Sequence, residues 1–313
     1  MVVNHGVRNG GECQIALTII EGVCRDTMTV SERSMTDNQP AGNAALQAPD
    51  NSPIEADLPD TVVALTVAYR GTDFSGFARQ EGQSTVQGQL EQALQTLYHR
   101  SVVTTGAGRT DAGVHALGNV VSFGLSHDEF DSRSLDKLQS SLNALVPDSL
   151  VVKRIEQKPA DFSARFSALA REYRYRLLLS ASPPVFLEPF VWWIKPPMLD
   201  IPAMKKAAVL FEGEHDFRSF CVAKSADLGP TTREVSKVLI FPAQHLGEQC
   251  LVVQVIGNAF LHSMVRVMVG ALVEVGQGKQ PPSWIDEVLE ARDRKSAGQT
   301  APAKGLTLWR VIY

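Results

Sequence analysis

One segment concentrates residue types that can do chemistry: Gly106-Ala107-Gly108-Arg109-Thr110-Asp111-Ala112-Gly113-Val114-His115-Ala116. Glycines on both sides allow positive φ and let a ligand approach the backbone closely. Between them a guanidinium and a carboxylate stand two residues apart. Arg109 can grip a phosphate, or stack where a base has been removed. Asp111 can act as a nucleophile or a base, or hold a cation. The same residues also suit an Asx-turn with a surface ion pair. Local chemistry leaves both readings open.

A second candidate lies far along the chain. Phe260, Met264, Val267 with Met268, Ala271 and Val275 recur at helical spacing and form an apolar stripe. His262, Arg266 and Gly270 are spaced by four, so the same periodicity gives them another face. An arginine on so apolar a helix needs a partner; pairing with Glu274 or exposure to solvent are the plain alternatives. His262 reads as a satisfied core histidine ahead of a nucleic-acid contact, and His115 as a support for the glycine-rich loop.

The elements that must carry these residues can be read from periodicity. Order is expected from Thr61, where TVVALTVAYRG reads as a strand ending at Gly71. Ser84-Thr85-Val86-Gln87 resembles a capping box, and Val86, Leu90, Ala93, Leu94 and Leu97 follow at helical spacing. SVVTTGAGRTDAGVHALGNVVSFGL reads as strand, loop, strand; then come a helix over 134–145 and the strand LVVKRIEQ. The second half repeats the theme: strand REYRYRLLL, helix 201–211, strands VSKVLIFPA and CLVVQVIGN, helices 260–275 and 284–292, and the strand GLTLWRVIY. The pattern is an α+β layer with helices on one sheet face. It predicts two related halves, 61–165 and 166–313, with antiparallel sheets flanked by helices around a central cleft. Residues 1–60, poor in large apolar side chains from Thr27 onward, are expected to be a disordered tail.

Composition narrows the function classes. Apolar residues at 44% predict a globular chain with a real core. No apolar run reaches about 18 residues, and no basic segment precedes an apolar one at the start, so neither a membrane span nor a secretory leader is expected. Cys13, Cys24, Cys221 and Cys250 form no C-x-x-C, and no H-E-x-x-H is present, so no zinc site is expected. Free thiols fit a cytoplasmic protein. The net charge of −4 looks wrong for a nucleic-acid binder, but residues 1–60 alone hold −6 and the remainder +2. Val151 to Leu178 carries seven basic and three acidic residues, a strip able to meet a phosphate backbone. Lys153, Arg154, Arg165, Arg171 and Arg174 are its candidate contacts, and a solvated face is the alternative.

Gly108-Arg109-Thr110-Asp111-Ala112-Gly113-Val114-His115-Ala116 resembles the signature of the tRNA pseudouridine synthase A family. Other motifs follow in that family's order: Tyr69 to Phe77, Thr85-Val86-Gln87, Phe166-Ser167-Ala168, Arg171 to Tyr175, Gly213 to Phe220, Asn258 to Arg266, and Gly305 to Leu308. The first departs by reading Gly76-Phe77-Ala78-Arg79-Gln80 where Gly-Trp-Gln is common. The resemblance implies a pseudouridine synthase fold, an isomerase acting on uridine in the tRNA anticodon stem-loop, no metal or organic cofactor, and a homodimer. It implies that Asp111 is the catalytic aspartate and that Arg109 fills the gap left by a flipped base. It further implies that Tyr173 packs against that base and that Arg266 pairs with Asp111. Tyr175, two residues on, faces the same side as Tyr173.

Overall fold

A computed structural model describes residues 59–222 and 229–313. The tail expected over 1–60 lies outside the described residues apart from Pro59 and Asp60.

The strands are β1 (Thr61–Tyr69), β2 (Thr105–Gly106), β3 (His115–Leu125), β4 (Leu150–Lys158), β5 (Ala170–Leu179), β6 (Trp192–Ile194), β7 (Gly213–Asp216), β8 (Thr232–His245), β9 (Glu248–Gly257) and β10 (Leu306–Ile312). They form one mixed sheet in the order β4-β1-β3-β10-β5-β9-β8-β7, with β2 added on β3 and β6 on β5. The last strand is inserted into its middle. β10 runs parallel to β3, pairing Thr307 with His115 and Leu308 with Ala116, and antiparallel to β5, pairing Leu308 with Tyr173. Where antiparallel sheets were expected, one sheet joins both stretches of chain through a parallel pair.

The helices are α1 (Val86–Tyr98), α2 (His127–Asp131), α3 (Leu135–Leu145), α4 (Ile201–Val209), α5 (Met264–Gly276) and α6 (Trp284–Ala291). Alternate strand residues such as Val63, Leu65, Val67, Tyr173, Tyr175, Val253 and Val255 share one core cluster with the apolar faces of α1, α3, α4, α5 and α6. Period-2 alternation thus points one sheet face at the helices. None of the described helices is long and apolar enough to cross a membrane.

Several expected boundaries differ. Most of the strand expected from Ser101 lies outside the sheet, and only Thr105–Gly106 joins it. The capping box at Ser84 is absent: Thr85 is the N-cap and accepts from Gly88 N. Gln87 instead accepts from Arg79 N and donates to Thr104 O, tying two loops together. The unexpected α2 carries the true capping box, Ser126 with Glu129. Helix 260–275 starts only at Met264 and is buried nearly all round, so a single stripe understates its contacts. Its two residues that are not buried are Arg266 and Glu274.

Candidate active site

The Asp111 loop leaves the sheet after β2 and returns to it as β3. Val114 N donates to Asp111 O at 3.1 Å, closing a turn in which Gly113 has φ +81°. A side chain there would be strained. Below the loop lies a buried polar network. Asn119, fully buried on β3, donates to Gly108 O at 2.9 Å and accepts from Gly108 N at 3.2 Å. Tyr69, at the end of β1, meets Thr110 Oγ1 at 2.8 Å and Asn119 Nδ2 at 3.3 Å. Burial pushes the Tyr69 hydroxyl up to about 12, so it stays protonated well above neutral pH. Phe77 N donates to Thr110 O at 3.0 Å. A buried, fully paired network fixes one loop conformation. His115 adds a further support: its Nδ1 accepts from Gly71 N at 3.1 Å, while Nε2 faces Pro189 O at 2.8 Å and Lys304 O at 3.2 Å.

The Asp111 carboxylate is the point where distant segments meet. Oδ2 accepts from Arg266 Nη1 at 2.7 Å and from Ser263 Oγ at 2.7 Å. His262 Nε2 lies 3.3 Å from Oδ1. The Asp111 side chain keeps 15% of its exposure, enough for a ligand to touch it. Among the described residues it accepts nothing from backbone N–H groups, so the Asx-turn alternative does not describe it. Glu274 is not the partner of Arg266; it accepts from Gln299 N at 3.0 Å.

Arg266 is itself held. Its Nε donates to Ala301 O at 2.9 Å, and Ala301 N donates to Arg266 O at 3.1 Å. This requires the chain at 299–301 to lie against α5. A Cβ on Gly270 would come within 2.0 Å of Gln299 O, so only glycine allows the approach. His262 precedes α5, so it does not share the helical face of Arg266 and Gly270. At 55% side-chain exposure it is not a core histidine. Ser263, missed in the sequence, is the N-cap of α5 in the left-handed region at φ 62°. That conformation is sparsely populated for serine. Its sequence signal was its place within the Asn258 to Arg266 motif.

Tyr173 is buried beneath the loop. Its ring packs edge-on against Phe260 at 5.2 Å, and its hydroxyl lies 3.4 Å from where a Cβ of Gly108 would be. Burial first, then the charges of Tyr69 and Asp111, push that hydroxyl far above its ordinary range. Tyr175 is distinct from it, donating to Pro302 O at 2.8 Å. Arg109 is exposed and has no carboxylate partner among the described residues.

The basic strip is corrected in part. Arg171 is buried, and its guanidinium donates to the carbonyl oxygens of Ala107, Arg165, Ala168 and Asn258 at 2.6–3.2 Å. It is a structural clamp and is unavailable to phosphate. Arg174 pairs with buried Glu172 at 2.8 Å and lies over the Trp309 ring. Arg154 pairs with Glu156 at 2.8 Å. Lys153 donates to Leu117 O at 3.3 Å. Arg165 remains exposed without a carboxylate partner. Among the described residues, no group of three or more His, Cys, Asp or Glu could hold a metal ion.

Comparison with known proteins bears on the same segments. A family model described as tRNA pseudouridine synthase matches residues 65–167 and 207–313. The chain is 43% identical over 252 residues to a tRNA pseudouridine synthase A of Geobacillus sp. (strain WCH70), covering 80% of this chain and 98% of the relative. It is 44% identical over 247 residues to one from Brevibacillus brevis, covering 79% and 97%. It is 38% identical over 251 residues to one from Thermotoga maritima, covering 80% and 99%. Since the matched segments carry Asp111, Ser263 and Arg266 alike, the chain belongs to the tRNA pseudouridine synthase family, isomerases that act on uridines of tRNA.

Proposed function

We propose that this protein converts uridine to pseudouridine in the anticodon stem-loop of tRNA, with Asp111 as the nucleophile. The observation that carries the reading is the partly open Asp111 carboxylate, gripped by Arg266 and Ser263 within a loop matched to the family. The reaction breaks the C1′–N1 bond, turns the uracil and forms a C1′–C5 bond; the proton leaves C5 and N1 gains one. A carboxylate suits it because it can bond to the sugar or the base and later leave. The target base must first leave its stack, at a cost of a few kcal/mol. Exposed Arg109, two residues from Asp111, is the group to fill the gap. Tyr173 is the wall against which the flipped base packs. Its raised hydroxyl pKa suits a neutral aromatic donor better than a base.

The same reading takes 61–165 and 166–313 as two halves facing one cleft, supported by Asp111 coming from the first and Ser263 with Arg266 from the second. It takes the protein as a cytoplasmic homodimer working without metal or organic cofactor. The test is Asp111→Asn assayed for pseudouridine in tRNA transcripts. Turnover is expected to vanish while tRNA still binds. Turnover near the wild-type rate would reject the assigned role.

A further inference from the structure

Between β4 and β5 the chain presents Arg165 and Phe166. Phe166 is 81% exposed, and the guanidinium of Arg165 lies 5.4 Å from its ring centroid. A single exposed apolar residue needs no explanation, but this one has three further properties. Its segment is tied down: Ser167 N donates to Ser163 O at 2.9 Å, Ser163 N donates to Ser167 Oγ at 3.1 Å, and Leu169 N donates to Ile312 O at 2.8 Å. It is coupled to the Asp111 loop: Arg171 Nη2 donates both to Arg165 O at 2.6 Å and to Ala107 O at 3.1 Å, so one cation holds both segments. And Arg165, like Arg109 on the loop that Arg171 also holds, has no carboxylate partner among the described residues, whereas other exposed arginines such as Arg70, Arg100 and Arg154 are paired.

We propose that Phe166, backed by Arg165, is a stacking platform for an unpaired base of the RNA flanking the target uridine, with Arg165 taking the adjacent phosphate. Unpaired bases stack on aromatic rings and guanidinium planes, and any base offers a suitable face. Two unneutralised guanidinium groups favour a polyanion over an apolar protein segment. The inference rests on the tRNA-uridine reading above and adds a contact outside the Asp111 site.

The experiment uses the full chain and an anticodon stem-loop transcript, comparing Phe166→Ala, Phe166→Leu and Phe166→Tyr. Phe166→Ala is expected to raise KM roughly 5- to 150-fold, the range for losing one base–aromatic stack. Its kcat and unfolding midpoint should be unchanged. Leucine should behave as alanine, and tyrosine as the wild type. A wild-type KM for the alanine or the leucine variant overturns the platform, as does a fall in kcat at constant KM. Phe166→Trp supplies a readout independent of turnover: its emission in excess of the wild type's four tryptophans should be quenched when the transcript is added, and an unchanged excess overturns the proposal. If the wild type forms no pseudouridine while that quenching persists, the proposed function fails and the platform stands.

Discussion

At the scale of single residues, the site is a carboxylate shared among donors from the far end of the chain. Arg266 supplies the charge and Ser263 supplies a hydroxyl at 2.7 Å from the same oxygen. The left-handed backbone of Ser263 aims that hydroxyl, so the strain has a visible use. Ser263→Ala keeps the size and removes the donor. A hydrogen bond to a charged group contributes about 1.5–3 kcal/mol; if half of that acts on the transition state, kcat falls roughly 4- to 13-fold. Steady-state assay with unchanged tRNA affinity checks it, and an unaltered kcat would show that the hydroxyl only completes the fold.

At the scale of elements, two side chains connect loops that would otherwise move independently. Arg171 joins the start of the Asp111 loop to Asn258, the residue from which the chain turns towards His262 and Ser263. Arg171→Lys keeps a charge but loses the planar fork, and lysine cannot span these carbonyls. We expect unfolding free energy lower by roughly 1.5–3 kcal/mol in urea, with turnover falling alongside; full stability would remove the clamp from the account. His115 sets a pH dependence. Burial lowers its pKa, and its Nδ1 must stay unprotonated to accept from Gly71 N. The unfolded chain therefore takes up the proton more readily, so stability is lost as pH falls below about 6.5 towards the lower folded value. His115→Gln should flatten this slope in urea titrations from about pH 7.5 to 5. An identical slope in the variant would assign the acid sensitivity elsewhere.

At the scale of the whole molecule, charge and topology matter most. The family match begins at residue 65, and residues 1–60 carry a net −6. A chain beginning at Pro59 loses eight acidic and three basic residues, a net of −5, and should keep its kcat and bind tRNA more tightly at low salt, because it no longer carries their repulsion towards a polyanion. Binding measured at two ionic strengths decides this: equal affinity in both chains at low salt would mean those acids lie outside the field felt by tRNA.

Much of this was legible in the chain itself. Period-2 and period-3.6 patterns marked β1, β4, β5, β9, α1 and α3 closely, because alternation and amphipathicity are local consequences of burying one face. The glycine-rich loop and Asp111 stood out because such residue types at contiguous spacing are rare. Other features depended on partners remote in sequence. The fate of each arginine is one: nothing local distinguishes Arg171, spent on four carbonyl groups, from Arg165, left exposed. The insertion of β10 between β3 and β5 is another, and so is the hydroxyl of Ser263 on a carboxylate 152 positions away. Sequence by itself determined most of the long strands and helices and singled out Asp111 as an acid of interest, since both follow from neighbours along the chain. Only the tertiary structure decided which charges are neutralised and which remain free, because pairing depends on contacts that chain folding alone brings within hydrogen-bond reach.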